Sequence, residues 1–124
     1  MGLRDLFKSI LGNDVVYFTT DPAQVLKCGV IPDVFATVDF GIDVDPEIAF
    51  AEQRKFNQDK GPYVNSEFYP GWLDFWGTPH QRRPTAQIVQ KLDKILSMGG
   101  NLNFYMFHGG TNFGFSNGKS SFVS

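Results

Sequence analysis

Short runs rich in β-branched and aromatic residues alternate along this chain with segments of helical periodicity, and that order limits the possible folds more than any other feature. Strands are predicted at residues 15–19, 34–38, 63–66 and 102–107. Helices are predicted at residues 3–11, from 46 to about 60, and from 84 to 98. Strands that are separated by helices pair in parallel through right-handed crossovers. The sequence therefore predicts an α/β fold with one parallel sheet.

Two architectures are compatible with four parallel strands, namely a doubly wound sheet and a part of a (β/α)8 barrel. A complete barrel takes about 250 residues, whereas this chain has 124. No G-x-G-x-x-G or P-loop motif follows any predicted strand, so a nucleotide-binding domain lacks its main signature. One core is expected for a chain of this length.

Composition excludes several classes of partner. The net charge of −2 does not favour nucleic acid or an anionic membrane. No apolar run approaches the roughly 18 residues of a membrane span, and residues 1–11 lack the continuous apolar segment of a signal peptide. Cys28 is the single cysteine, so it is either a buried free thiol or a thiol whose partner lies outside the chain. We expect no cofactor and no metal.

Glu67 is the most informative of the three glutamates. Glu47 and Glu52 lie in a charged helical stretch, where a solvated position explains them. Glu67 instead follows the third predicted strand, and the loop after it contains Tyr69 and Trp72 among its aromatic residues. Catalytic groups gather at the carboxyl ends of barrel strands, and a carboxylate among aromatic rings suits the apolar face of a sugar. From these residues alone, a hydrophobic lid over the sheet remains an alternative.

A retaining glycosidase needs two carboxyl groups about 5–5.5 Å apart, one as nucleophile and one as acid and base. The nucleophile must be ionised and held by hydrogen bonds, which Asn65 and Tyr105 can provide. Trp72 can stack on the sugar face. The residue types around Glu67 therefore favour glycoside chemistry.

The motifs of the chain resemble those of glycoside hydrolase family 35, the β-galactosidases. The runs at 65–69 (NSEFY) and 71–74 (GWLD) resemble the nucleophile signature of that family, and residues 105–114 (YMFHGGTNFG) resemble its last barrel strand and the following loop. Three upstream runs fit the same family in the same order, at residues 18–21, 27–29 and 37–41.

The resemblance implies a (β/α)8 catalytic barrel that hydrolyses terminal β-linked galactose with retention. It implies that Glu67 is the nucleophile, and that Tyr105, Trp72, Asn65 and Tyr69 form the substrate-binding surroundings. It also matches Cys28 to a cysteine that pairs with an earlier one in lysosomal or secreted members, which gives the expected location. His108 departs from the apolar residue usual at its position, and no role is assigned to it.

The resemblance also indicates what the 124 residues lack. The acid/base glutamate of the family lies in an Asn-Glu pair after the fourth barrel strand, and no such pair occurs here. Residues 1–124 are therefore expected to be a partial catalytic domain, about strands five to eight of the barrel, and inactive on their own. Asp21, Asp39 and Asp74 are the carboxylates that the barrel end can bring towards Glu67, although a shorter aspartate is a poor substitute.

Half a barrel leaves open sheet edges and an uncovered apolar face, so we expect the isolated chain to be unstable, or to associate with a complementary half or with a second copy. Two other interpretations remain open from the sequence. One is a non-catalytic galactoside-binding or interaction fragment, and the other is a doubly wound domain whose motif match is accidental.

Overall fold

The computed structural model describes residues 2–110 of the chain. Its helices and strands alternate in the order α1 (Leu3–Leu11), β1 (Phe18–Pro22), α2 (Leu26–Gly29), β2 (Phe35–Asp39), α3 (Pro46–Phe56), β3 (Val64–Phe68), α4 (Thr85–Ser97) and β4 (Asn101–Phe104). The four strands form one sheet in the order β1-β2-β3-β4, and every neighbouring pair is parallel. The predicted α/β class and the parallel pairing are confirmed.

The strand order also bears on the two architectures left open by the sequence. A doubly wound sheet reverses its strand order at a switch point, whereas consecutive barrel strands lie side by side in chain order. The order observed here runs without reversal. It therefore favours the partial barrel, and the numbering of these strands as five to eight stays a prediction.

Several element boundaries differ from the predicted ones. The first strand begins at Phe18, so the apolar pair Val15 and Val16 precedes the sheet and is exposed. Helix α3 ends at Phe56, because Gln58 and Asp59 adopt positive φ angles of 56° and 59°, which no helix can continue through.

The ends of two helices have clear local causes. Pro46 begins α3, where its missing N–H is not needed, and the Asp45 carboxylate accepts a hydrogen bond from the Glu47 amide at 3.1 Å. Helix α4 begins at Thr85, one residue after the predicted start, and Pro84 directly precedes it. Helix α4 contributes Ile95, its one fully buried residue, to the core.

The hydrophobic core lies between the sheet and the helices α2, α3 and α4. It consists of eight buried residues, Leu26, Ala36, Val38, Phe40, Ala49, Phe50, Phe68 and Ile95. Phe50 contributes most ring contacts, because it stacks on Tyr63 at 4.8 Å between centroids and meets Phe40 edge-on at 5.6 Å. The core therefore covers one face of the sheet.

Apolar side chains outside this core are widely exposed among residues 2–110. Helix α1 has no buried residue, although it carries apolar residues along its length. Phe18 at the start of β1 is also exposed. Such exposure is what the partial-barrel prediction entails, and association with another chain remains a prediction. Within residues 2–110, the helices are too short and too polar for any of them to span a bilayer.

Candidate functional site

Glu67 is the fourth of the five residues of β3, so it lies inside the strand and not directly after it as predicted. Its register partner on β2 is Asp39. The partner of Asn65 is Val38, so two residues of β3 oppose one of β2, and β3 therefore contains one extra residue, Ser66. The same extra residue appears against β4. Asn65 pairs with Leu102 and Phe68 with Phe104, so two residues of β3 lie between these pairs but only one residue of β4 does. This is a β-bulge at Ser66.

The bulge decides which face of the sheet presents Glu67. Asn65 pairs with Val38, a core residue, and both are fully buried. Since successive side chains alternate between faces, an unbroken strand would turn Glu67 towards the core as well. The extra residue shifts the alternation by one, so Glu67 joins Asp39 on the face away from the helices and Phe68 returns to the core.

A cavity of about 590 Å³ lies at the carboxyl ends of the strands, and Glu67 lines it. Tyr69, Trp72 and Tyr105, three of the four predicted substrate-binding residues, line the same cavity. The remaining lining residues come from the strand ends and the loops that follow, Pro22, Asp39, Gly71, Leu73, Met106, Gly109 and Gly110. Parallel α/β folds bind their ligands at this end of the sheet.

Asp39 and Tyr69 form the closest polar pair within this cavity. The Tyr69 hydroxyl donates a hydrogen bond to Asp39 Oδ1 at 2.7 Å. Burial raises the pKa of Asp39 against the opposing effect of the Tyr69 hydrogen bond, and the charge of Asp21 adds to the increase. Burial also raises the pKa of Tyr69 far above its usual value, with further contributions from Asp39 and Glu67. Tyr69 is therefore a neutral donor beside the two carboxyl groups.

Close packing at Gly41 sets the position of Tyr69 over the end of β2. A Cβ atom added at Gly41 would lie 2.8 Å from Tyr69 Cδ2 and 2.9 Å from the Tyr69 carbonyl oxygen. Only glycine fits at that distance from backbone. The Tyr69 ring in turn meets Trp72 edge-on, with centroids 5.5 Å apart and an interplanar angle of 68°. The contact with Gly41, which follows β2, therefore fixes the position of the Tyr69 ring, against which Trp72 packs.

The loop between β3 and α4 is held by polar contacts that the sequence reasoning missed. Asp74 accepts a hydrogen bond from the Gln81 amide at 2.7 Å, and its other carboxylate oxygen contacts Nδ1 of His80 at 2.5 Å. Arg83 pairs with Asp43 at 3.0 Å and so connects this loop to the one after β2. These contacts depend on the path of an irregular loop, so no sequence signal marked these partners.

The three aspartates considered as alternative acids separate in the structure. Asp39 lines the cavity. Asp74 is occupied in the loop contacts with His80 and Gln81. Asp21 packs its carboxylate against Gly29 of α2, where an added Cβ would collide with it. Of the three, Asp39 is the carboxyl group that shares the cavity with Glu67.

The remaining predicted site residues differ in their surroundings. Tyr105 lies at the cavity, and its amide donates a hydrogen bond to the Phe68 carbonyl at 2.9 Å. Asn65 is fully buried on the core side of β3 and is not among the residues that line the cavity. Its side chain instead forms hydrogen bonds with the Phe40 carbonyl and the Glu67 amide.

Cys28 and the described part of the 105–114 run both lie at the surface or at the cavity. Cys28 is exposed on α2, so the interpretation as a buried thiol is wrong, and a partner outside the chain stays a prediction. His108 is exposed, and Gly109 and Gly110 line the cavity. Residues 111–114 of the same motif lie outside the described residues.

Comparison with known proteins gives the family. The model of glycosyl hydrolases family 35 matches residues 2–124. A β-galactosidase of Mus musculus is 51% identical over 117 residues, which are 93% of this chain and 18% of that protein. A β-galactosidase of Homo sapiens is 49% identical over 121 residues, 96% of this chain and 18% of that protein. A β-galactosidase-1-like protein of Mus musculus is 44% identical over 116 residues, 94% of this chain and 18% of that protein.

The chain belongs to glycoside hydrolase family 35. The resemblance found in the motifs is therefore confirmed, and the interpretation as an unrelated doubly wound domain is excluded. The chain spans about 18% of the length of these relatives.

Proposed function

We propose that this chain is the nucleophile-bearing part of the catalytic barrel of a retaining β-galactosidase, which releases terminal β-linked galactose. The observation that carries the proposal is the position of Glu67. It lines a cavity at the carboxyl ends of parallel strands together with Tyr69, Trp72 and Tyr105. The names of the relatives support galactose as the sugar.

In the proposed reaction, a carboxylate oxygen of Glu67 attacks the anomeric carbon of galactose and forms a covalent ester. The bond from that carbon to the aglycone oxygen breaks, and the oxygen takes a proton from the acid/base carboxyl group. Water then gives a proton to that group and attacks the anomeric carbon, so that galactose leaves and Glu67 is restored. Two displacements at one carbon retain its configuration.

The neighbours of Glu67 suit this role. Tyr69 is neutral and its proton is directed to Asp39, so it does not add negative charge to the site. The exposed ring of Trp72 is available for the apolar face of galactose, and Tyr105 is available for a hydrogen bond at the cavity. An ionised nucleophile between such groups is what the first displacement requires.

The acid/base group is expected outside these 124 residues, because no Asn-Glu pair occurs in them. Asp39 is a poor substitute, since it is the register neighbour of Glu67 and approaches the sugar from the same side. We therefore expect the 124 residues alone to be inactive and to need the complementary part of the barrel. Loss of general acid assistance lowers a rate by about 10²–10⁴. A lysosomal or secreted location is proposed from the family resemblance.

A second candidate function, which the sequence also left open, is non-catalytic galactoside binding. It predicts galactoside binding that does not depend on the charge of Glu67. Under the catalytic proposal, turnover depends on Glu67 whenever the rest of the barrel is present.

A segment-exchange enzyme separates the two functions. In it, residues 1–124 replace the matching segment of the mouse β-galactosidase, which supplies the remainder of the barrel. We expect turnover of a nitrophenyl β-galactoside that falls by about 10⁴ or more in Glu67→Gln, as it does when other hydrolases lose a nucleophile. Glu52→Gln is the matched control, since Glu52 pairs with Lys55 on the surface of α3. A folded exchange enzyme in which Glu67→Gln and Glu52→Gln are equally active would contradict the proposal.

A further inference from the structure

The β-bulge at Ser66 creates a need for backbone partners at the residue that carries the proposed nucleophile. An extra residue interrupts the ladder of hydrogen bonds between β3 and its neighbours. Backbone donors and acceptors that are buried without a partner are strongly unfavourable. The local conformation therefore depends on what replaces the ladder.

The side chain of Asn65 supplies that replacement on one side. Its Oδ1 accepts a hydrogen bond from the Glu67 amide at 3.2 Å, and its Nδ2 donates one to the Phe40 carbonyl at 3.0 Å. The residue is 0% exposed. A buried amide that satisfies a donor and an acceptor at once cannot be replaced by an apolar residue without leaving both unpaired.

The bulge residue itself is fixed on the other side. The Ser66 hydroxyl lies 2.6 Å from the hydroxyl of Thr37 and 3.3 Å from the Val38 carbonyl. Both of these residues belong to β2. The segment that turns Glu67 away from the core is thus attached through Ser66 to β2 and through Asn65 to Phe40, the residue after β2.

We propose that Asn65 is a positioning residue for the nucleophile, and not a residue that touches the sugar. The inference rests on the proposed role of Glu67 and assigns to Asn65 the task of holding the Glu67 backbone in its bulged conformation. Its side chain keeps the carboxylate on the cavity side and opposite Asp39. A residue with this task affects the rate of the displacement more than the affinity for the sugar, because a misplacement of about 1 Å can lower a rate by about 10².

Gln53 provides a matched control. It is also a fully buried amide, and it bonds the backbone of β2 and β3 through the Ala36 carbonyl and the Val64 amide, each at 3.0 Å. Those contacts lie at the other end of β3 and do not include Glu67. Replacement of Gln53 removes the partner of the Val64 amide, while the Ala36 carbonyl keeps a bond from the Asn57 side chain at 2.8 Å. Both variants therefore lose hydrogen bonds to backbone and should lose stability, whereas only Asn65 is expected to affect the nucleophile.

The test compares Asn65→Ala and Gln53→Ala in the segment-exchange enzyme. We expect similar decreases in melting temperature, a decrease in kcat of about 10² for Asn65→Ala alone, and KM values within a few-fold of the parent. Equal kcat values for the two variants, or a change confined to KM, would overturn the positioning role. If Glu67→Gln leaves turnover intact, the proposed function itself fails, and the two failures are distinguishable.

Residue-level hydrogen exchange on the unaltered exchange enzyme covers the case in which Asn65→Ala does not fold. The proposal requires a protected Glu67 amide and slow exchange of the Asn65 side-chain amide protons. Rapid exchange at both positions, beside a protected Gln53 side chain, would overturn it. An exchange enzyme that fails to fold would contradict the premise that residues 1–124 have the same fold as the matching segment of the mouse β-galactosidase, on which the inference depends.

Discussion

Substitution of Tyr69 by phenylalanine tests the electrostatics of the cavity, because it removes the one hydrogen bond between Tyr69 and Asp39 and leaves the ring in place. The bond is 2.7 Å long, and Asp39 is only 9% exposed. The bond stabilises the ionised carboxylate, and its effect on the pKa of Asp39 is opposite to that of burial. The pKa of Asp39 should therefore rise further in Tyr69→Phe.

The magnitude follows from the strength of such bonds. A hydrogen bond to a charged group contributes about 1.5–3 kcal/mol, against about 0.5–1.5 kcal/mol for a neutral pair. The difference is roughly 1–2 kcal/mol, by which the substitution should destabilise the ionised form of Asp39 relative to the protonated form. We therefore expect the pKa of Asp39 to rise. The pKa of Asp39 in the folded state is already raised above its ordinary value of 3.8. The contribution of Asp39 to the free energy of unfolding is therefore fully present below pH 3.8 and is lost as the pH rises through the folded-state pKa. The substitution extends this window to higher pH.

The assay is a carbon-13 NMR titration of the chain with selectively labelled aspartate carboxyl groups. Tyr63→Phe is the matched control, because the Tyr63 hydroxyl bonds Arg54 at 3.2 Å and lies apart from the cavity residues. An Asp39 signal that titrates at the same pH in Tyr69→Phe, or at a lower one, would refute the reasoning about the cavity. A shift of equal size in Tyr63→Phe would refute its assignment to the Tyr69 bond.

Two further substitutions test the packing of the site. Gly41→Ala places a methyl group within 3 Å of the Tyr69 ring and carbonyl, so denaturant titration should show a free energy of unfolding lower by about 1–3 kcal/mol. Gly71→Ala is the control, because a Cβ atom there has no neighbour within 4 Å and should change the free energy of unfolding little. Equal losses for the two alanines would contradict the close contact. Trp72→Ala should raise KM for a nitrophenyl galactoside by about fivefold in the segment-exchange enzyme, since a ring contact contributes about 1 kcal/mol. Trp76→Ala is the control, because Trp76 is equally exposed, at 58%, and does not line the cavity. A KM that rises equally in both would remove Trp72 from the sugar site.

The sequence predicted the order of the elements because helix and strand periodicities are local. It placed β2 within one residue, the start of α3 at Pro46, and the start of α4 within one residue of Pro84. It misplaced the start of β1, since Val15 and Val16 have strand character by themselves but reach no partner strand. Pairing between strands is decided by distant residues, which local patterns do not contain.

The candidate site was only partly predictable for the same reason. The residue types after Glu67 indicated an aromatic cavity, and Tyr69, Trp72 and Tyr105 do line it. The bond between Tyr69 and Asp39 joins residues 30 positions apart and left no trace in the sequence. The bulge had a weak signal, because three consecutive polar residues, 65–67, do not fit the alternation of a regular strand. Its consequence, which turns Asn65 to the core and Glu67 to the cavity, depends on the register with β2.

Covalent trapping tests the central claim about Glu67 most directly. A 2-deoxy-2-fluoro-galactosyl fluoride carries a leaving group that departs without a proton, so the first displacement does not depend on the acid/base group. The fluorine at C2 slows the second displacement, and the ester on the nucleophile accumulates. After treatment of the segment-exchange enzyme, peptide mass spectrometry should find the fluorogalactosyl group on Glu67 and on no other carboxylate of residues 1–124. Inactivation with the label on Asp39, or outside these residues, would contradict the assignment of Glu67 as the nucleophile.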